Sequence, residues 1–196
     1  NGVLAYRTGG AGAATELSWF GRTGNRLGTV APPGPYRNPA LSPDATRIAV
    51  EITDQQNRTQ DIWLVDVGRE VTSRFTFDAG NDMYGVWSPD SRQIIFSSDR
   101  EGGVFHLYQK RADGVGNEQP VIKSTTEMVP YAWSPDGSAV VYRTRVAGNL
   151  NLGILPLGGD RKPYLFDPVK ATQATGQVSP DGRWMAYHSA ESGRYE

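Results

Sequence analysis

The stretch YAWSPDGSAVVY, residues Tyr131–Tyr142, combines a tryptophan, a Ser-Pro-Asp-Gly sequence and an alternating apolar run. Related stretches occur elsewhere in the chain: LSPDATRIAV from Leu41, WSPDSRQIIF from Trp87 and VSPDGRWMAY from Val178. The serines of the four copies are Ser42, Ser88, Ser134 and Ser179, at successive spacings of 46, 46 and 45 residues. Self-similarity at one period indicates a repeat architecture, whereas a catalytic site occurs once.

Each repeat contains the same order of apolar runs. After Ser-Pro-Asp comes a run such as RIAVEIT (47–53), then a second such as DIWLVDV (61–67), and then a shorter, more polar run such as TSRFTF (72–77). A short stretch such as YGVW (84–87) leads into the next Ser-Pro-Asp. Runs rich in β-branched and aromatic residues predict strands. Four strands in a period of this length are typical of a blade of a β-propeller, so we expect an all-β fold of four-stranded antiparallel blades.

The Ser-Pro-Asp sequence is interpreted as a hairpin turn between the innermost strand of a blade and its neighbour. Proline fixes φ, aspartate accepts a hydrogen bond from the backbone two residues on, and glycine tolerates the tight return. Because the aspartates recur once per blade, we predict a structural role for Asp44, Asp90, Asp136 and Asp181.

The phase of the repeats predicts where the blades lie. Tyr6 aligns with Val50 of the second repeat, so the chain is expected to start on a second strand and to stop just after another. The predicted division is a partial blade at 1–35, blades at 36–80, 81–126 and 127–170, and a partial blade at 171–196. Two arrangements are open: a four-bladed ring whose terminal pieces share one blade, or part of a larger ring. In the second case a homo-oligomer that completes the terminal blades between chains is possible.

Composition excludes several classes of function. The chain of 196 residues carries 20 basic and 21 acidic residues, and its formal net charge of −1 argues against nucleic-acid binding. It has no cysteine, so disulfides and thiolate metal sites are excluded. No apolar run approaches the roughly 20 residues of a membrane-spanning helix, and membrane insertion by this chain is not expected.

The repeats resemble those of the TolB-type β-propeller, also described as a tryptophan-aspartate-like propeller repeat. The resemblance rests on WSPDG, LSPDATRIAV, DIWLVDV and SSDREGG (97–103). Other stretches, such as ELSWFGRTGNRLGTV (16–30), are similar to propellers attached to bacterial serine/threonine protein kinases. This resemblance implies a sensor or interaction module, and an extracytoplasmic location, periplasmic or at the cell surface.

A binding surface is predicted at the mouth of the central channel. Loops that join an outermost strand to the next innermost strand gather there, and loops on a rigid scaffold carry binding residues. Tyrosine and arginine are enriched at binding hot spots. The candidate ligand-binding residues in these predicted loops are Tyr36, Arg37, Asp82, Tyr84, Glu127, Tyr131 and Gln173.

No catalytic set is predicted. The sequence contains no G-x-S-x-G, H-E-x-x-H or kinase signature, and its two histidines lie in different repeats. We therefore expect a non-catalytic module that binds a protein, a peptide or a small ligand, without a cofactor or a metal. Two alternatives remain: the propeller part of a prolyl-oligopeptidase-type or other hydrolase whose catalytic domain lies outside this chain, and a propeller fragment without a function of its own.

Overall fold

The structure, a computed structural model, describes residues 4–8, 14–167 and 171–196. Within these ranges it contains five antiparallel sheets and no helix. The first sheet consists of β1 (Leu4–Thr8), β2 (Glu16–Phe20) and β3 (Arg26–Thr29). The second consists of β4 (Arg37–Leu41), β5 (Arg47–Thr53), β6 (Gln60–Asp66) and β7 (Val71–Arg74).

The other three sheets follow in chain order. The third consists of β8 (Asp82–Trp87), β9 (Gln93–Ser98), β10 (His106–Arg111) and β11 (Gln119–Pro120). The fourth consists of β12 (Val129–Trp133), β13 (Ala139–Val146), β14 (Asn149–Pro156) and β15 (Tyr164–Leu165), and the last of β16 (Gln173–Val178) and β17 (Met185–Ser189). Strands pair in sequence order within each sheet. The predicted all-β fold of four-stranded antiparallel blades is confirmed.

The outermost strands are shorter than the apolar runs suggest. β7 has four residues, and β11 and β15 have two each. Pro120 within β11 and Pro163 before β15 have no N–H to donate to a ladder. Pairing at the outer edge therefore stops early, and the inner strands of each sheet carry most of the fold.

The core lies between neighbouring sheets. One apolar cluster joins Ile62 of the second sheet to Trp87 and Phe96 of the third, all almost completely buried. Similar clusters join the first sheet to the second and the third to the fourth. In β9 every residue after Gln93 is buried, so this strand is enclosed on both faces and carries apolar residues at successive positions from Ile94 to Phe96.

Trp87 stabilises the joint between the second and third sheets. Its indole Nε1 donates to the carbonyl of Ala40 on the neighbouring innermost strand, at 2.9 Å. The guanidinium of Arg47 lies 5.1 Å from the centre of the ring, which is the geometry of a cation–π contact. The tryptophan of this repeat therefore connects blades.

The four Ser-Pro-Asp turns share one set of hydrogen bonds. In each turn the serine hydroxyl donates to the aspartate Oδ1 at 2.6 Å. The same Oδ1 accepts from the backbone N–H two residues on, at 3.0 to 3.1 Å. The fourth residue of each turn has a positive φ, and it is a non-glycine at Ala45 and Ser91. These bonds close each hairpin at the end of the sheets opposite the ends where the innermost strands begin. We call the end that carries the turns the lower face and the opposite end the upper face.

The sheets form an open arc. Each innermost strand contacts the innermost strand of the next sheet, from β4 to β8, β12 and β16. No described strand of the first sheet contacts β16 or β17, so the closed four-bladed alternative is not formed by the described residues. The completion of blades between chains stays a prediction.

Candidate functional site

The upper ends of the innermost strands are shaped by β-bulges. β4, β8, β12 and β16 each contain a register shift near their first residues, opposite the second strand of the same sheet. At three of the bulges a non-glycine residue has a positive φ: 43° at Asn38, 56° at Tyr84 and 54° at Thr175. A bulge leaves one residue outside the ladder and redirects the side chains beside it.

Glu51 uses a backbone group that the bulge of β8 leaves outside the ladder. It lies on β5, and its carboxylate accepts from the backbone N–H of Tyr84 in the next sheet at 2.6 Å and from Asn38 Nδ2 at 2.8 Å. The residue is only 2% exposed. Burial raises the pKa of the Glu51 carboxyl, although the hydrogen bonds from Tyr84 and Asn38 oppose this shift. A buried carboxylate thus joins two innermost strands.

A cleft of about 880 Å³ opens beside this junction, between the first, second and third sheets. Its apolar surface comes from Pro33, Pro35, Tyr36, Met83 and Tyr84, together with Ala14 and Gly34. Its polar lining comes from Thr15, Arg37, Asn38, Glu51, Thr53, Gln55 and Gln60. The volume is in the usual range of small-ligand sites, roughly 300 to 1,000 Å³.

Two groups of the cleft lining have hydrogen-bonding capacity that the described residues do not use. Arg37 is exposed, and its side chain makes no hydrogen bond or close ion pair with any residue that the structure describes. The side-chain Oε1 of Gln60 is enclosed and has no hydrogen-bond partner among the described residues. Charged and polar groups in this state form hydrogen bonds with a ligand at little cost in lost internal contacts.

The structure brings together three of the seven residues predicted at the channel mouth: Tyr36, Arg37 and Tyr84 line the cleft. Asp82 does not, because its buried carboxylate accepts hydrogen bonds of 3.0 and 3.2 Å from Arg100 Nη2. Gln173 is completely buried and accepts from the backbone N–H of Leu152 at 3.4 Å.

Tyr131 lies on β12 of the fourth sheet and Glu127 in the segment just before that strand, and neither lines the cleft. Glu127 is half-buried beside Arg143 and Arg145, with N–O distances of 4.0 and 3.7 Å. Tyr131 is half-buried, and its carbonyl accepts from Gln177 Nε2 at 3.3 Å.

The prediction that all seven residues lie in loops is corrected for five of them. Arg37, Asp82, Tyr84, Tyr131 and Gln173 are in the innermost strands themselves. The innermost strands extend farther toward the upper face than their apolar runs do. Their pairing with the second strand continues past the bulge, and the polar residues Arg37, Asp82 and Gln173 lie there. Asp82 and Gln173, each the first residue of its strand, are buried, whereas Arg37, the first residue of β4, is exposed.

Sequence reasoning missed Glu51 and Gln60. Glu51 lies nine residues after the serine of its repeat, and the matching positions hold the polar residues Ser97, Arg143 and His188. At the next joint Ser97 donates to the carbonyl of Met128 at 3.0 Å, so the position again contacts the following innermost strand. The sequence signal that could have identified Glu51 was a polar residue at the same position of an otherwise apolar strand in each repeat. Gln60 had no such signal.

Among the described residues, no three or more His, Cys, Asp or Glu side chains are grouped so that they could hold a metal ion. The described residues also include no helix long and apolar enough to cross a membrane. The described surroundings of the cleft offer hydrogen bonding and the exposed positive charge of Arg37.

The five antiparallel sheets follow one another, and the innermost strands of neighbouring sheets lie side by side. This arrangement of sheets is that of a β-propeller. The cleft lies at the upper ends of the sheets. The family described as the TolB beta propeller domain matches residues 21–196, and this chain belongs to it.

Two curated relatives match part of the chain. An uncharacterized peptidase of Bacillus subtilis, YuxL, is 29% identical over 109 residues, which are 53% of this chain and 16% of that protein. An uncharacterized protein of Agrobacterium fabrum is 28% identical over 137 residues, 65% of this chain and 46% of that protein. The chain thus spans less than half of the length of either relative.

Solved structures share the fold. TolB from Acinetobacter baumannii superposes with a TM-score of 0.76 at 23% identity, over 95% of this chain and 46% of that chain. A prolyl endopeptidase structure gives 0.63 at 14% identity, over 91% of this chain and 29% of that chain. At these identities the likeness concerns the fold alone.

Proposed function

We propose that this chain is a non-catalytic binding module that takes a protein segment or peptide in the cleft beside Glu51. The observation that carries the proposal is the meeting in one cleft of Arg37 and Tyr84, which lie on innermost strands, with Tyr36, which directly precedes β4. Tyrosine and arginine dominate the energy of protein interfaces. Binding residues held by strands are positioned more precisely than those on loops.

The absence of a catalytic arrangement among the described residues of the cleft supports binding over turnover. Among the described lining residues, Glu51 is the only carboxylate, it is engaged by Tyr84 and Asn38, and no histidine is present. A hydrolase needs a paired nucleophile and base, or two facing carboxylates. We place the module in a longer protein as its sensor or scaffold part, either in a bacterial kinase or in a TolB-like envelope protein.

The test is an array of random twelve-residue peptides probed with the fluorescently labelled chain, followed by anisotropy titrations of the best peptides in solution. Tyr84→Ala should weaken binding about fivefold or more, since loss of a hot-spot side chain costs more than about 1 kcal/mol. Tyr195→Ala is the matched control, because Tyr195 is 64% exposed and does not line the cleft. Failure to bind any peptide, or equal weakening by both substitutions, would overturn the proposal.

A second function is favoured by the comparisons: the propeller part of a larger peptidase. A curated relative is named a peptidase, and a prolyl endopeptidase shares the fold. The test is the full open reading frame from which this chain comes. A hydrolase domain with a G-x-S-x-G sequence would support this function, and an open reading frame without such a domain would exclude it.

A further inference from the structure

Arg37 forms no close ion pair with any described residue, although a carboxylate lies opposite it in the sheet. Burial raises the pKa of that carboxyl, which belongs to Glu51, and the positive charge of Arg37 acts against the shift. Arg37 on β4 and Glu51 on β5 are directly paired in the ladder. The Glu51 carboxylate instead accepts from Tyr84 of the third sheet and from Asn38, and no ion pair with Arg37 is formed. The exposed guanidinium is left at the rim of the cleft with its donors unused.

An unpaired guanidinium of this kind selects a carboxylate or another planar anion. Its five N–H donors form a fixed fork that matches two oxygens at once. The carboxylate of the buried Glu51 would have to turn away from the N–H of Tyr84 to pair closely with the guanidinium, and that N–H would then lose its acceptor. The position is therefore kept free for an anion from outside.

Gln60 adds a second recognition element. Its Oε1 is buried without a partner, while its backbone N–H donates to Asn81 Oδ1 at 3.1 Å, which fixes the start of β6. A primary amide offers one acceptor and two donors side by side. This combination is complementary to the N–H and C=O of a peptide group.

The walls between these two groups are apolar and stiff. Pro33 and Pro35 form one side, and Met83 and Tyr84 contribute to the lining from the third sheet. Tyr36 is held by its hydroxyl, which donates to the carbonyl of Pro32 at 3.0 Å. Prolines and buried tyrosines lose little entropy on binding, which favours an ordered, extended ligand.

We infer that the cleft binds an extended peptide segment that carries a carboxylate, with Arg37 pairing the carboxylate and the Gln60 amide pairing a main-chain peptide group. This inference rests on the proposed function and specifies its ligand. The carboxylate comes either from an acidic side chain or from a chain terminus, since both present the same two oxygens to the guanidinium.

The test uses three fluorescent octapeptides of the same alanine and tyrosine sequence, measured by anisotropy with the full chain. The first has a central glutamate and an amidated C-terminus, the second a glutamine and an amidated C-terminus, and the third a glutamine and a free C-terminal carboxylate. At least one of the carboxylate peptides should bind about tenfold or more tightly than the neutral peptide, as a charge-assisted hydrogen bond implies. The tighter of the two identifies the source of the carboxylate.

Arg37→Gln should remove this preference, so that the three peptides bind to the variant within about twofold of one another. Arg92→Gln is the matched control, because Arg92 is exposed beside the Ser-Pro-Asp turn on the opposite face. Equal binding of all three peptides to the unmodified chain, or an unchanged preference in Arg37→Gln, would overturn the inference alone. Absence of binding by every peptide, here and on the array, would overturn the proposed function with it.

Discussion

The carboxylate of Glu51 lies 2.6 Å from the backbone nitrogen of Tyr84, a residue of the neighbouring sheet 33 positions later in the chain. Tyr84 has a φ of 56°, and its N–H is directed out of its own ladder by a bulge. One buried side chain therefore holds a strained backbone segment of the next blade in place. The shape of the cleft depends on this contact.

Glu51→Ala should lower the free energy of unfolding by about 1 to 3 kcal/mol, because the N–H of Tyr84 and the amide of Asn38 both lose their acceptor. Urea denaturation followed by tryptophan fluorescence measures the change. Glu70→Ala, at an exposed glutamate in the turn before β7, is the control and should stay within about 0.5 kcal/mol. An equal effect of both substitutions would show that the Glu51 contacts contribute nothing specific.

The stability difference between the unmodified chain and Glu51→Gln should depend on pH. Burial raises the pKa of Glu51 in the folded state, so between its unfolded and folded pKa values the folded state binds more protons. Stability then falls as the pH rises from about 4.3 through the folded pKa. Glutamine does not titrate, and the variant should gain relative to the unmodified chain over this window. Parallel urea midpoints from pH 4 to pH 7 would contradict the shift.

The turn aspartates should give the stability a pH dependence of the opposite sign to that of Glu51. The hydroxyl of Ser134, followed by the backbone and side chain of Ser138, lowers the pKa of Asp136 to about 2. A depressed pKa gives stability that is complete above the unfolded value of about 3.9 and is lost as the pH falls through about 2. Asp136→Asn should flatten the rise in stability between these values. Carboxyl titration by NMR in Ser134→Ala should show the Asp136 pKa moving upward, and an unmoved value would reject the assigned cause.

Ala45→Gly should stabilise the protein by about 0.5 to 1 kcal/mol. Ala45 has a φ of 57° at the turn position where Gly137 has 76°, and a Cβ in the left-handed region costs about 1 to 2 kcal/mol. The greater flexibility of glycine in the unfolded chain offsets part of that gain. Thermal unfolding should show a higher midpoint. A lower midpoint would mean that the methyl group of Ala45 makes packing contacts that outweigh the strain.

Ser91→Gly should give no such gain, although Ser91 has a φ of 59° at the matching position. Its hydroxyl accepts from the backbone N–H of Asp44 in the preceding sheet at 3.1 Å. Removing this hydrogen bond costs about 1 kcal/mol and cancels the relief of strain. A stabilisation as large as that of Ala45→Gly would show that the hydrogen bond between the two turns contributes nothing to the free energy of unfolding.

The repeats, the strands and the hairpin turns could be predicted from the sequence because they depend on local chemistry. Each Ser-Pro-Asp turn is held by hydrogen bonds among residues within five positions of the serine. The apolar runs predicted the inner strands, because one face or both faces of each of these strands are buried. The short outer strands were overestimated, because composition does not show where pairing ends.

The candidate site was predicted in part. Tyr36, Arg37 and Tyr84 meet in one cleft, but Asp82 is in a buried ion pair with Arg100 and Gln173 is enclosed between sheets. In the sequence these residues look equivalent, because each is a polar or aromatic residue that precedes an apolar run. Whether such a residue faces a ligand or the core depends on the bulges and on the neighbouring sheet.

The sequence by itself determined the period, the four-stranded repeat and the turn at each serine, because the hydrogen bonds within each turn and the apolar pattern of each strand belong to residues close together in the chain. Only the tertiary structure decided that Glu51 contacts Tyr84 rather than forming a close ion pair with Arg37, and that the arc of sheets is open. Those features depend on contacts between blades, which join residues 30 or more positions apart and follow from how whole sheets pack.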